Sequence, residues 1–402
     1  MKTCIIKEDV RSAAELIRKG KLVAVPTETV YGLAANGLDE SAVRAVYEIK
    51  GRPEAKPLSL MVPGPEAIAA YTADAPRSAL HLAARFWPGP LTIVLRAADA
   101  VPAIVRAGGD TVGLRCPDHP LTLEALRLAG VPFAAPSANP SGEPSPKTAE
   151  DVQRYFDGKI PAIIDGGPCG IGRESTILDM SSAPYRVLRE GALPENNIAE
   201  ALADCLVCIG ITGGTGCGKT TALQELEKRG ALILDCDAIY HELLEHDHDM
   251  LRELDESFPG TVVDGKLERK SLGAVVFSDP QALALLNRIT HHYVGIAVQK
   301  RMEDWAMRGG ALVAIDAIEL IGSGLAARCR ATVGIIADEE VRAARIMARD
   351  GISREYALLR IRAQKPDQYF KDNCDYVLEN NGDRSAFTGR FNRMIKEILN
   401  NG

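Results

Sequence analysis

Gly213-Gly214-Thr215-Gly216-Cys217-Gly218-Lys219-Thr220 decides how the second half of this chain folds. The stretch satisfies G-x-x-x-x-G-K-[ST] in full. An apolar run, Leu206 to Thr212, precedes it, and a segment carrying Ala222, Leu223 and Leu226 follows until Gly230 stops it. A buried strand that turns through glycines into a helix offers successive backbone N–H groups, and the positive end of the helix dipole, to an anion. Lys219 can then reach the outer phosphates of a nucleotide, the Thr220 hydroxyl can ligate magnesium, and Thr221 completes the nucleotide-binding run.

Outward from this loop, Ala231 to Leu234, Leu312 to Ile315 and Thr332 to Ile336 read as buried strands separated by helices, the pattern of a parallel sheet. In the first half, Leu22 to Val25 and Leu91 to Leu95 read as strands. Val43, Val46, Tyr47 and Lys50 share one helical face, with Asp39 as cap. Between the halves, Leu188 to Glu200 passes through Gly191, Pro194, Asn196 and Asn197, and a short Ala-rich helix at Ile198 to Asp204 leads into the apolar run at Cys205. The expectation is a two-domain α/β protein divided into 1–203 and 204–402: a twisted mixed sheet first, a phosphate-loop domain on a parallel sheet second.

Composition narrows the function classes. The 402 residues are 46% hydrophobic and 25% charged, which excludes a disordered, collagenous or membrane-spanning chain. Lys and Arg number 47 against 54 Asp and Glu, so the net charge of −7 argues against coating nucleic acid electrostatically. Charges at Lys2, Lys7, Glu8, Asp9, Arg11 and Glu15 break the first residues, so neither a signal peptide nor a membrane partner is expected, and the location is read as cytoplasmic. Nine scattered cysteines read as reduced thiols, with Cys205 and Cys208 as two packed strand residues. His246-Asp-His-Asp249 reads as a solvated loop in preference to a metal site.

Beside the phosphate loop, Asp235-Cys-Asp237 brings two carboxylates to the carboxyl edge of the sheet, where one could accept a hydroxyl proton or hold magnesium through water, or both could merely cap the next helix. Arg342, Arg345 and Arg349 fall on one helical face, either a solvated basic face or a lid over a transferring phosphoryl group. Cys217, inside the loop and near a helix start, is expected to have a lowered pKa and to react readily unless ATP shields it.

These residues, with Val263-Asp-Gly-Lys-Leu-Glu-Arg269, Leu286-Asn-Arg-Ile289, Arg362-Ala-Gln364 and Asp375-Tyr-Val-Leu-Glu-Asn380, resemble dephospho-coenzyme A kinase along the whole half. The resemblance implies a core with a CoA-binding helical insert and a lid, and transfer of the ATP γ-phosphoryl group to the 3′-hydroxyl of dephospho-CoA. It makes Asp237 the candidate base, Arg345 and Arg349 lid arginines, Asp235 a substrate contact, and Asn380 a neighbour of the adenine. The chain departs from the family's pattern at His291-His292, at Ala317-Ile-Glu-Leu320 and at His241.

The first half has no such loop, yet polar clusters sit at its strand ends: Pro26-Thr-Glu-Thr-Val-Tyr-Gly32, Lys50-Gly-Arg-Pro53, Arg115, and Pro136-Ser-Ala-Asn139. Each alone could be turn chemistry. With Phe86-Trp-Pro-Gly-Pro-Leu-Thr-Ile-Val94, Ile164-Asp-Gly-Gly167, Glu174-Ser-Thr176 and Leu188-Arg-Glu-Gly191, they resemble the threonylcarbamoyl-AMP synthase family from Lys21 to Gly191. The resemblance implies that L-threonine, bicarbonate and ATP give threonylcarbamoyl-AMP and pyrophosphate for tRNA modification, with tRNA or a tRNA threonylcarbamoyltransferase as macromolecular partners. Lys50, Arg52, Lys56 and Arg189 then suit the triphosphate with magnesium, and Arg115 with Thr29 the amino-acid carboxylate. Ser137, Asn139 and Ser175 offer hydrogen bonds near the adenylate. The competing reading makes this half an RNA-binding or tethering module, which would bind tRNA in a salt-sensitive way without turnover.

Overall fold

The computed structural model describes residues 2–400, which divide into two compact units. One runs through Cys205 and takes in Met307–Gly309; the other holds Leu206–Ala306 and the chain from Gly310 onward.

The first unit is built on an eleven-stranded mixed sheet. Across it run Cys4–Ile6, Ala162–Ile164, Val23–Val25, Gly32–Asn36, Phe133–Ala134, Ser59–Met61, Thr111–Arg115, Leu91–Ala97, Thr176–Asp179 and Arg186–Arg189, with Thr72–Asp74 paired to Leu91–Ala97 at the side. Helices Arg11–Arg18 and Pro120–Ala129 press Ala13, Ile17, Ala125 and Leu126 onto Val23, Val25 and Ile164, so one sheet face is core. Helix Glu40–Lys50 starts where the Asp39 carboxylate accepts from the N–H groups of Ser41 and Ala42, and stops at Gly51 in the left-handed region, φ 57°. Val43, Val46, Tyr47 and Lys50 are all on its buried face.

The second unit carries a five-stranded parallel sheet in the order Leu232–Asp235, Leu312–Asp316, Val207–Thr212, Ala331–Ile336, Tyr376–Glu379. The strand that feeds the phosphate loop is central. Ile209, Ile211, Val333 and Ile335 pack with Phe387, Phe391 and Ile395 of the last helix, Arg384–Asn400, and with Ala222 and Leu226 of helix Lys219–Glu227. Four helices, Cys236–His246, His248–Ser257, Arg269–Val276 and Pro280–Met307, form an insert with its own core of Leu244, Met250, Leu254, Phe258 and Ile289. Helices Glu339–Asp350 and Arg354–Arg362 meet over Ala343, Ile346, Ala357 and Ile361. Ile352 and Leu358 pack against this small cluster from the side.

Three readings need correction. Cys205 lies before the strand, which begins at Val207, so only Cys208 is a strand thiol. His246 to Asp249 is a junction between two helices, with the Asp247 side chain capping the second, and not a loop. Two strands also run one residue farther than their apolar runs, ending on Asp235 and Asp316. Among the described residues no helix is long and apolar enough to cross a membrane.

Candidate active sites

The phosphate loop owes its path to glycines that no other residue replaces. Gly213 has φ 139°, and a Cβ there would lie 2.1 Å from the Ile335 carbonyl oxygen; Gly218 has φ 99°, with a Cβ 2.2 Å from Asn380 Nδ2. A second layer braces the loop from outside. Asn380 Nδ2 donates to Cys217 O at 2.8 Å, and Arg345 donates to Gly216 O at 3.2 Å and to Asn380 O at 2.9 Å. Arg342, only 4% exposed, donates to Thr215 O at 3.0 Å and to the Gln364 side-chain oxygen at 2.9 Å, and that oxygen also accepts from Thr215 N. The arginine stripe is therefore no solvated face: Arg342 and Arg345 clamp the loop, and Arg349 alone is exposed, bonded to Asp350.

Around the loop a pocket gathers Gly214, Thr215, Gly216, Gly218, Lys219, Thr220, Asp237, Arg345 and Arg349 from the expected set. Gly213, Cys217 and Thr221 are not in its wall, and Gly213 O accepts from Lys219 Nζ at 3.2 Å. Asn380, 5% exposed, sits behind the loop. Asp235 caps helix Cys236–His246, its carboxylate accepting from Asp237 N and Ala238 N at 3.0 Å, so the capping reading applies to Asp235 and leaves Asp237 facing the pocket. Asp237 also lines a second, largely apolar pocket with Tyr240, Leu286, Asn287, His291 and Glu319.

The Cys217 expectation is overturned. Its side chain is fully buried in the core cluster, and burial pushes its thiol pKa up instead of down. A neutral, inaccessible thiol alkylates slowly with or without nucleotide.

Asp316, Arg360 and Gln364 also line the phosphate pocket and were not singled out. Asp316 carried the signal already read in Asp235, an acid just past an apolar run at the carboxyl edge of the sheet. Its Oδ1 is buried without a hydrogen bond, 3.6 Å from Lys219 Nζ. Burial raises its pKa, Asp235 and Asp237 add to the rise, and Lys219 opposes it. With the Thr220 hydroxyl, this orphaned carboxylate makes a hard oxygen donor set that fits magnesium, which commonly takes few protein ligands and completes its shell with phosphate oxygens and water.

In the first unit, a pocket at the strand ends is lined by Arg52, Arg115, Ser137, Ser175 and Arg189 of the expected residues. Three arginines and one carboxylate, Glu174, line it, and Glu174 accepts from Arg189 and, at 3.0 Å, from Ser145 Oγ. The Arg115 Nη2 donates to Glu28 Oε1 at 2.7 Å and Thr29 Oγ1 at 2.8 Å, and Nε to Gly89 O at 3.3 Å. Its Nη1 has no protein partner among the described residues. Arg189 anchors on Ser175 O at 2.8 Å, and Ser175 Oγ meets Thr92 Oγ1 at 3.0 Å.

The remaining expected residues stand outside that wall. Thr29 is fully buried beneath Arg115; Lys56 is exposed; Asn139 is buried, its amide nitrogen donating to Pro140 O and Glu143 O. Lys50, 4% exposed, donates to the carbonyl oxygens of Ser137 and Asn139 and so shapes the pocket wall from behind. Burial, reinforced by Arg52, pushes its ammonium down to about 8. Glu28 and Glu174, both within quoted motifs, were not singled out, because what sets them apart is a bond to an arginine distant in sequence, Arg115 for Glu28 and Arg189 for Glu174.

Residues 15–191 match the Sua5–YciO–YrdC family model, described as Telomere recombination, and residues 207–385 match the CoaE model, Dephospho-CoA kinase. The chain is 48% identical over 195 residues to the threonylcarbamoyl-AMP synthase of Pyrococcus abyssi, covering 48% of this chain and 57% of that one. It is 45% identical over 204 residues to the threonylcarbamoyl-AMP synthase of Bacillus subtilis, covering 50% and 59%. It is 37% identical over 199 residues to a putative threonylcarbamoyl-AMP synthase of Methanocaldococcus jannaschii, covering 48% and 92%. The chain thus spans less than three fifths of the Pyrococcus and Bacillus relatives.

Proposed function

The chain belongs to the Sua5–YciO–YrdC family through its first unit and carries a dephospho-CoA kinase-family domain in its second, and from that premise we propose a bifunctional enzyme that opens ATP at two different phosphorus atoms. The observation that carries the reading is the presence of two anion pockets, one in each unit, built on different principles: a glycine loop with a helix start, and a cage of arginines.

In the second unit, the 3′-hydroxyl oxygen of dephospho-CoA attacks the γ-phosphorus, its proton passes to the Asp237 carboxylate, and the bond to the β,γ-bridging oxygen breaks to release ADP. Asp237 is suited to this because it borders both the phosphate pocket and the adjoining apolar pocket, the place of a base between donor and acceptor. Lys219, Arg345 and the loop amides balance the charge on the phosphates. Thr220 and Asp316 would hold magnesium, which neutralises the β and γ oxygens when bound.

In the first unit, the threonine amine and bicarbonate lose water to form a carbamate, whose oxygen attacks the α-phosphorus of ATP while pyrophosphate leaves. Arg52 and Arg189 suit the triphosphate, and Arg115, through its unengaged Nη1, the amino-acid carboxylate. Lys50 holds the Ser137 wall. Glu174 is the pocket's lone carboxylate and the residue to which magnesium would be offered there. Orientation, more than proton transfer, supplies the rate. The threonylcarbamoyl-AMP would serve tRNA modification.

Equilibrium dialysis with a non-hydrolysable ATP analogue should saturate at two nucleotides per chain. Saturation at one would end the two-pocket reading. Paired product assays should give pyrophosphate only with threonine and bicarbonate together, and CoA only with dephospho-CoA.

Asp237→Asn should lower kcat for CoA formation by about 10² to 10⁴-fold while the KM for ATP stays put. An unchanged kcat would remove Asp237 from proton transfer. A pH profile separates the two sites within one molecule. Lys50 is cationic below its pKa near 8 and neutral above it, so raising the pH through about 8 withdraws a positive charge from behind the arginine pocket. The kcat/KM for ATP in pyrophosphate release should therefore fall across that interval, and Lys50→Met should flatten the fall. CoA formation by the same chain serves as the control.

A further inference from the structure

Two thiols of the second unit face each other. The Sγ atoms of Cys208 and Cys329 are 3.7 Å apart, although 121 positions separate the residues along the chain. Cys208 belongs to the central strand Val207–Thr212, and Cys329 leaves the short turn Leu325–Arg328 and leads into strand Ala331–Ile336. Ile209 pairs with Ala331, and Arg330 N donates to Cys208 O at 2.8 Å, so the two cysteines occupy adjoining positions on neighbouring stretches of chain. Neighbouring strands run roughly 4.7–4.9 Å apart, inside the Cα separation of about 4.4–6.8 Å that a disulfide takes.

Gly210 shows how the second sulfur fits. It shares a face of the strand with Cys208, and a Cβ there would lie 2.9 Å from Cys329 Sγ and 2.6 Å from Leu320 Cδ2. The space that a larger residue would fill is the seat of the Cys329 thiol. The two thiols are unequal. Cys208 is 1% exposed, and its hydrogen bond to Cys329, with burial behind it, holds its pKa well above the usual thiol range. Cys329 is half-buried, donates to Leu325 O at 3.5 Å, and stands in sequence between Arg328 and Arg330, both exposed. A partly open thiol among cations is the kind that an oxidant reaches first, and Cys208, held against it, is the resolving partner. The third thiol of the region, Cys236, is buried in the wall of the apolar pocket, and burial pushes it up to about 12.

We propose that hydrogen peroxide converts Cys329 and Cys208 into an internal disulfide, and that this bond slows CoA formation. The Cys329 sulfur attacks the peroxide O–O bond, one water leaves and a sulfenic acid remains. The Cys208 sulfur then displaces its hydroxyl as a second water. Two thiol hydrogens and two electrons pass to one peroxide molecule, which ends as two waters. An S–S bond is about 2.0 Å long, so the sulfurs must close by about 1.7 Å. The turn before Cys329 moves with it, and Ser323 and Leu325 of that segment line the apolar pocket beside Asp237. A misplacement of about 1 Å at a reacting geometry can cost on the order of 10²-fold. The slowing rests on the kinase reading of the second unit; the disulfide does not.

The test uses the full chain, reduced, exposed to hydrogen peroxide, then denatured and alkylated. All nine cysteines are unbridged, so wild type should pass from nine alkylated thiols to seven, with peptide mapping joining Cys208 to Cys329 and dithiothreitol restoring nine. Cys329→Ser should keep its eight thiols, and Cys208→Ser should stop at a Cys329 sulfenic acid that dimedone captures. Oxidation should lower CoA formation by wild type at least tenfold, reversibly, and by Cys329→Ser less than twofold, with threonine-dependent pyrophosphate release as the control. Nine thiols after peroxide, or a bridge to Cys236 in place of Cys329, would overturn the proposal, as would a Cys208–Cys329 bridge that leaves CoA formation unaltered. If the reduced chain makes no CoA, the kinase reading and the slowing fall together, while the thiol count still decides the disulfide.

Discussion

Lys219→Ala is expected to lower CoA formation on the order of 10³-fold while leaving threonine-dependent pyrophosphate release within about twofold of wild type. The ammonium group is the charge that the loop holds nearest the outer phosphates, bonded to Gly213 O at 3.2 Å and 3.6 Å from the buried Asp316 carboxylate. Removing it takes away a charge-assisted contact that tightens as negative charge moves onto the leaving ADP. It also strips Asp316 of its counter-charge, in a place where Asp235 and Asp237 already disfavour ionisation. The second unit should therefore melt slightly earlier as well as lose turnover, and a melting curve separates these effects. The first reaction survives because its pocket draws every lining residue from the other unit. If both products vanished in a chain that still melted cooperatively, the two sites would not be independent.

Arg115→Ala should abolish pyrophosphate release and cost stability, for two reasons that can be parted. The Arg115 and Glu28 side chains are 8% and 11% exposed and 2.7 Å apart, and Glu28 Oε2 also accepts from Asp118 N at 3.0 Å. Breaking such a pair from one side leaves a nearly buried carboxylate without its cation, at a cost of about 3–5 kcal/mol. For a unit of this size that lowers the melting temperature on the order of 10 °C. Glu28→Gln combined with Arg115→Ala removes the stranded charge and should recover much of the stability. Activity should stay lost, since the Nη1 donor offered to the threonine carboxylate is gone. Recovery of pyrophosphate release in the double variant would show that Arg115 serves the fold and not the substrate.

How much of this was legible along the chain differs between the halves. The phosphate loop is contiguous, its chemistry is in backbone amides and four glycines, and the apolar run before it announces the strand, so the parallel sheet and the pocket follow from local spacing. Even there Asp316 escaped, because its importance comes from a register: Gly210 pairs with Ile315 and Ile211 with Asp316, which sets that carboxylate beside the loop. The arginine cage of the first half is spread over Arg115 and Arg189, each ending a strand, and Arg52, just past a helix end, and resemblance alone grouped them. Lys50 and Lys56 illustrate the limit well. Both are lysines close together in sequence and assigned to the same triphosphate, yet one points under Ser137 and Asn139 and the other into solvent.

By itself the order of residues determined the division into two α/β halves, the strand–loop–helix that meets phosphate, and the polar clusters at strand ends, since periodicity, glycine placement and capping act over a few residues. Only the tertiary structure decided which of those polar groups face a pocket and which brace it from behind. It turned Cys217 into the core, gave Asp235 to a helix cap, bound Arg342 to the loop and left Asp237 between two cavities. The direction of a side chain is set by what packs on its other side, and burial then fixes its charge state. Neither can be read from neighbours in sequence.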